Sequence, residues 1–254
     1  MVIYNSIILF FIGSILASFY GVVASRLPRG KSIVKPRSHC DYCNHTLGLF
    51  DLMPILSFVF LRGRCRYCKK KLPVYEPLME IATGLFFALS YIKFGYGYDF
   101  YVSCILISLS VIIYVTDFQE MLILDSPLLV SIILIFILKF VYFGIKEALL
   151  GLLSGLVLFI FMFLVGVIGK KMFKREALGG GDIKLSFVIG LSLGIPYAMI
   201  SLVFSTFLAL PYAFYAIIGD KSHEVPYGPF LSSSMWFVHF FQDKFQYVLK
   251  LFYM

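Results

Sequence analysis

Glu176-Ala177-Leu178-Gly179-Gly180-Gly181-Asp182-Ile183-Lys184 carries a carboxylate through three glycines to the mouth of a 36-residue run, Ile183 to Ile218, whose only charge is Lys184. As one helix that run would reach about 54 Å, far beyond a hydrocarbon core of about 30 Å. Gly194-Ile195-Pro196 supplies a turn that divides it, leaving a short helix of roughly 18 Å and a full one after it. Asp182 is then recessed below the lipid surface, where an acid costs a few kcal/mol unless it has a partner or a task. Adjacent glycines let backbone or substrate approach closely. Asp117 occupies a matching position at the end of the apolar run Val102 to Thr116. Two acids at span ends suggest one shared site.

The rest of the chain is just as apolar. Sixty per cent of its 254 residues are hydrophobic and 14% are charged, and the mean hydropathy is +0.91. These values predict an all-α polytopic membrane protein. The net charge of +8 does not mark a nucleic-acid partner, because 11 of the 22 Lys and Arg lie between Arg26 and Lys71 and four more between Lys170 and Arg175. Cations clustered beside apolar spans are a topology signal.

Spans are predicted at Tyr4 to Ser25, Pro77 to Ile92, Tyr101 to Thr116, Leu122 to Phe143 and Leu149 to Ile168. The two halves of Ile183 to Ile218 and a last segment, Tyr227 to Phe241, bring the expectation to about eight transmembrane helices in a lipid bilayer. The cations follow the first apolar run instead of preceding it, which reads as an uncleaved anchor, residues 1–25, with its N-terminus outside. Residues 26–75 form a polar cytosolic loop domain, and residues 76–254 the membrane domain. Within the loop, Leu47 to Leu61 is apolar but short and carries Asp51 and Pro54, so it is interfacial or packed. Counting spans puts Asp117, the Lys170–Arg175 cations, the glycine stretch and the link Gly219 to Glu224 on the cytosolic side. The two charge clusters therefore agree.

The cysteines are the strongest local signal. Cys40-Asp41-Tyr42-Cys43 and Cys65-Arg66-Tyr67-Cys68 have zinc-ribbon spacing, each pair offering two thiolates to one tetrahedral ion. Their flanks repeat, His39-Cys-x-Tyr-Cys and Arg64-Cys-x-Tyr-Cys, as two similar knuckles would. The competing reading is two disulfides or idle thiols, which a reducing cytosolic loop disfavours. His39 and His45 could replace a ligand, but four cysteines already fill the shell; Cys104, alone in a span, reads as core. Such a zinc site is structural.

For the acids the spacing leaves alternatives open. Asp117 could pair with Lys184, and Asp182 could cap the helix that follows it. Asp125, before Ser126-Pro127, reads as a helix-start acid, and Glu80 could answer a loop arginine. There is no Gly-x-Gly-x-x-Gly, P-loop or His-Glu-x-x-His, which argues against nucleotide and zinc-protease chemistry.

The ordered motifs carry a resemblance. They are Arg26-Leu27-Pro28, Arg37-Ser38-His39-Cys40, Asp51-Leu52-Met53-Pro54, Leu61-Arg62-Gly63-Arg64-Cys65, Glu80 with Thr83-Gly84, Asp117, Gly-Gly-Gly-Asp with Lys184, and Val225-Pro226-Tyr227-Gly228-Pro229. The chain resembles the type IV prepilin peptidases, GxGD aspartic proteases of bacterial cytoplasmic membranes, over nearly its whole length. The resemblance implies that Asp117 and Asp182 are the catalytic pair and that Gly179, Gly180, Gly181 and Lys184 lie near the substrate. That substrate would be a prepilin or pseudopilin whose basic leader ends in glycine before a hydrophobic helix. It implies, too, methylation of the new N-terminus by S-adenosylmethionine. The chain departs from the family pattern at Ala17-Ser18-Phe19-Tyr20-Gly21, where Gly21 replaces an asparagine, and at Leu124 and Asp41, where proline is usual. The first departure lies beside the loop associated with methylation, leaving a peptidase without methyltransferase activity as the alternative.

Two carboxylates in one site cannot both ionise easily, so one keeps a proton while the other activates water. The rival classes are a non-enzymatic membrane assembly protein whose acids form ion pairs, and a proton-coupled transporter using the acids as a relay. Triple glycine directly before an acid at a span edge favours the protease.

Overall fold

The computed structural model describes residues 1–174, 178–218 and 225–252. Arg175 of the second cation cluster, Glu176 and Ala177 of the glycine stretch, and the link Gly219 to Glu224 lie outside the described residues. Ten α-helices are found among the described residues: α1 (Val2–Arg26), α2 (Leu56–Phe60), α3 (Tyr75–Phe94), α4 (Tyr98–Glu120), α5 (Asp125–Phe143), α6 (Ile145–Phe173), α7 (Gly180–Leu193), α8 (Ile195–Ile218), α9 (Tyr227–Phe240) and α10 (Gln242–Phe252). The architecture is all-helical, and no strand occurs among these residues. Six helices, α1, α3, α4, α5, α6 and α8, are long and apolar enough to cross a membrane.

The remaining two expected spans are α7 and α9, at 14 residues each. Fourteen residues rise only about 21 Å, short of a hydrocarbon core of about 30 Å. Packing explains how such short apolar helices are accommodated. Helix α7 is covered by α5, α6, α8 and α9, and its Leu185, Val188, Ile189 and Leu191 are fully buried. A helix enclosed by protein need not match the bilayer's thickness. The break between α7 and α8 falls at Gly194, whose φ of 75° lies in the left-handed region that glycine reaches without penalty. Helix α10, which the sequence reading did not include, follows α9 directly.

The chain forms two compact units, Met1–Tyr96 and Gly97–Met254. In the first, α1 packs along α3. The segment Leu47 to Leu61 does not span: it folds into a 3₁₀ turn, Leu49–Asp51, and the five-residue α2. In the second unit the core is built from Leu106, Leu109 and Ile113 of α4, the buried face of α7, and Leu231, Met235 and Val238 of α9. The residues on α4 recur at helical spacing, so a single face of the helix carries them inward. Asp117 lies in the last turn of that helix, which Met121 closes in the left-handed conformation with its N–H on the Asp117 carbonyl. The same cap turns the chain so that Ile123 enters the core.

Candidate active site and metal centre

Asp117 and Asp182 are both buried, with 6% and 8% of their surface exposed. They reach the second unit's interior from different helices, the last turn of α4 and the first turn of α7, and are close enough for their charges to act on each other. The three glycines before Asp182 do different things. Gly179 is the N-cap of α7, and a side chain there would meet Asp182 Oδ2 at 2.9 Å. Gly180 faces open space, while a Cβ on Gly181 would lie 2.7 Å from Ile123. Ile123 is thus wedged between the α7 turn and Gly228, where a Cβ would meet Ile123 Cδ1 at 2.8 Å and Asp117 Oδ2 at 2.9 Å.

The hydrogen bonding of the two acids is unequal. Asp117 Oδ2 accepts the backbone N–H of Gly228 at 3.0 Å, in the first turn of α9. Asp182 Oδ1 is buried and meets no hydrogen-bond partner within the protein. Each carboxylate therefore faces the N-terminal end of a helix, where the backbone dipoles favour negative charge. Among the described residues neither acid forms an ion pair: Lys184, the candidate partner of Asp117, binds both oxygens of Asp125 at 2.7 and 2.9 Å. The reading in which Lys184 neutralises Asp117 is thereby replaced by an exposed pair at the start of α5. Asp125 begins that helix, as its helix-start reading expects. Tyr227, whose hydroxyl hydrogen-bonds to Ser205 Oγ of α8, completes the surroundings, near enough for the Asp182 charge to reach it.

In the first unit, the Sγ atoms of Cys40, Cys43, Cys65 and Cys68 all lie within 4.8 Å of one another. The two knuckles repeat in backbone as they do in sequence. Cys40 and Cys65 accept the N–H groups of Asn44 and Lys69 and donate their own to His45 and Lys70, and Asn44 and Lys69 share positive φ values of 55° and 60°. The 3.9 Å between Cys40 Sγ and Cys68 Sγ matches the tetrahedral edge of about 3.8 Å that Zn–S bonds of about 2.3 Å require. Amide groups of Cys68 and Tyr67 draw the Cys65 thiol down to about 7. Cys43 is relieved by the His45 amide, yet desolvation and the neighbouring thiols push it up to about 11. Packed thiols resist ionising together without a cation among them. All five cysteines are free thiols, so the disulfide reading falls away. His45 stacks on Tyr67 with 3.6 Å between ring centroids and His39 bonds the Arg37 carbonyl at 3.0 Å; neither joins the four sulfurs.

Two further acids are also placed. Glu80 Oε2, on α3, accepts the Ile55 N–H at 2.8 Å, so it answers a backbone amide of the loop, where a loop arginine was one possible partner. Asp51 takes Arg66 Nε at 2.7 Å and the Gly48 N–H at 3.1 Å. Burial would raise the Asp51 carboxyl, but these donors hold it below the usual carboxylate value.

Sequence reasoning missed the Gly228 amide, Ile123 and the Tyr227–Ser205 contact. The Val225–Pro229 motif was visible, but nothing in it says which acid it meets 111 positions away.

Comparison with known proteins bears on most of the chain. Residues 11–94 match the bacterial peptidase A24 N-terminal domain, and residues 104–214 match the type IV leader peptidase family. A prepilin leader peptidase/N-methyltransferase of Bacillus subtilis is 36% identical over 203 residues, which cover 78% of this chain and 77% of that protein. Proteins of the same name from Klebsiella pneumoniae and Vibrio cholerae are 34% and 33% identical, over 73% and 76% of this chain and 84% and 80% of theirs. No solved structure matches. With both units matched by peptidase families and relatives aligned over most of their length, the chain belongs to the type IV leader peptidase family of membrane peptidases.

Proposed function

We propose that the protein is an aspartic endopeptidase of the bacterial cytoplasmic membrane that removes the basic leader of a type IV prepilin or pseudopilin, with Asp117 and Asp182 as its catalytic pair. The observation that carries this reading is a buried pair of acids in one core, one of them with an unpartnered oxygen. Burying an acceptor without a partner costs roughly 1–3 kcal/mol, and the protein retains it where water or substrate can use it. Asp182 Oδ1 is the group offered to water; Gly180, open on its outer side, leaves room for an extended peptide.

In the proposed reaction the ionised acid of the pair takes a proton from water as the water oxygen attacks the carbonyl carbon of the leader's terminal glycine. The protonated acid donates to the carbonyl oxygen, forming a tetrahedral intermediate. Collapse restores the carbonyl, breaks the C–N bond and passes a proton to the leaving amine. Cleavage at the cytosolic face suits a substrate whose basic leader stays inside while its apolar helix lies in lipid. The cation clusters flanking the spans support that orientation.

Cys40, Cys43, Cys65 and Cys68 would hold a zinc ion that braces the loop and takes no part in peptide cleavage. Methylation of the new N-terminus by S-adenosylmethionine rests on the relatives' names. The loop cavity lined by Phe50, Met53, Leu56, Phe60 and Arg66 measures about 270 Å³, below the roughly 300–1,000 Å³ of small-molecule sites. Cleavage of a purified prepilin in liposomes tests the peptidase reading, and normal processing by Asp117→Asn or Asp182→Asn would refute it. A methyl group on the mature N-terminus, read by mass spectrometry, decides whether the chain is a peptidase alone.

A further inference from the structure

We infer that Gly228 is a positioning residue of the peptidase, its backbone amide and its lack of a side chain together fixing the Asp117 carboxylate toward Asp182; this rests on the proposed roles of those two acids. Three observations converge on it. The Gly228 N–H donates to Asp117 Oδ2 at 3.0 Å in a buried setting. A Cβ at that position would stand 2.9 Å from the same oxygen, 2.8 Å from Ile123 Cδ1 and 3.0 Å from Ile113 Cγ2. The preceding residue, Tyr227, is tied by its hydroxyl to Ser205 on α8, which holds the first turn of α9 against that helix.

The amide and the missing side chain act on the same atom. A methyl group here would push on two side-chain tips, Asp117 Oδ2 and Ile123 Cδ1, which yield cheaply as far as folding is concerned, and lie at 3.0 Å from the Ile113 Cγ2 branch. One of those tips is the carboxylate that must keep its place. A displacement of about 1 Å at a reacting group costs about 100-fold in rate even when the fold is intact. Helix α9 therefore contributes more than packing: its first turn is the seat of one acid, while the other comes from the first turn of α7.

Gly228→Ala in liposomes, with purified prepilin as substrate, is the test. The expected result is a protein that inserts normally, with kcat down about 100-fold, KM unchanged and the pH–rate profile moved by ~0.5 unit or more. Gly166→Ala, where a Cβ would meet only ordinary contacts at 3.5 Å and beyond, is the control and should cleave normally. Placing Gly228→Ala in an Ile123→Val background separates positioning from packing. Val removes Cδ1 but leaves the clash with Asp117 Oδ2, so the defect should persist relative to Ile123→Val alone. Wild-type kcat in Gly228→Ala, or recovery in the Val background, overturns the inference. Should Gly228→Ala not accumulate in the membrane, Tyr227→Phe decides. It keeps the ring but frees the turn, and should lower kcat ~2- to 10-fold at unchanged KM, whereas an unaltered kcat overturns the inference. Asp117→Asn, assayed alongside, keeps the two readings apart: if it cleaves normally the catalytic pair itself is wrong, and if it is dead while Gly228→Ala is normal only the positioning role falls.

Discussion

Asp117 and Asp182 differ from the other acids among the described residues in being buried together, away from the Lys184 cation that Asp125 engages. An amide nearly preserves the shape of a carboxyl but cannot act as a base, so Asp117→Asn and Asp182→Asn should each cut kcat by ~10²- to 10⁴-fold while the protein still inserts. The double variant should be hardly worse than either single one, because members of one catalytic unit fail together. Asp125→Asn breaks only an exposed pair, worth up to about 1 kcal/mol, and should retain most of the cleavage. A variant series in which all three fall equally would point to a general need for negative charge. In the loop, Asp51 gives a pH prediction. Its folded value is depressed by the Gly48 amide and Arg66 against the effect of burial, so its stabilisation is complete above the ordinary carboxylate value of about 4. That stabilisation is lost as the pH falls through the lower folded value. Proteolysis of the loop should accelerate across that acid window, and Asp51→Asn should abolish the step.

Among the elements, the two knuckles are the most regular feature. Each is a tight turn whose fifth residue, at positive φ, returns its amide to the first cysteine's carbonyl, while amides of His45, Tyr67 and Cys68 reach sulfur, which is the backbone a tetrahedral thiolate site needs. Metal analysis should return about one zinc per chain. Cys65→Ser should release it and make the loop protease-sensitive, since the metal's binding energy is folding energy in such small modules. Leader cleavage should outlast zinc removal, because no thiol is assigned to the peptidase step. Stoichiometric zinc in a variant lacking all four cysteines would remove the assignment. Helix α7 shows a different dependence: with its core side chains fully buried, its stability comes from the helices around it. A polar substitution such as Val188→Asn should therefore cost several kcal/mol and reduce the amount of inserted protein, whereas Val167→Asn, on an exposed face of α6, meets lipid instead of core.

At the scale of the whole molecule the governing fact is the alternation of apolar helices with cationic segments. Six helices are long enough to cross and two, α7 and α9, are short. If each short helix carries the chain across inside the bundle, both termini lie outside and the cation clusters inside, as the positive-inside rule favours. Reporter fusions check this: one placed after Phe240 should be active outside, and one between Arg26 and Tyr75 inside. A reporter after Phe240 that is active only in the cytosol would mean that one of α7, α8 and α9 does not complete its pass.

The sequence by itself determined whatever depends on composition and local spacing. Membrane class, the membrane helices, the break at Gly194, the four-cysteine cluster and the family all follow from runs of apolar residues and motifs a few positions long, because hydrophobic burial and turn geometry are local demands. Asp117 and Asp182 could be singled out as well, since acids at span ends are expensive and so informative. Their surroundings could not. Which acid Lys184 serves, which amide holds Asp117 and what Ile123 wedges apart depend on helices brought together across tens to more than a hundred residues of chain, and short-range pattern carries no record of such pairings. The length of α7 belongs to the same class: 14 residues are too few for lipid and sufficient only when neighbouring helices form the surrounding solvent.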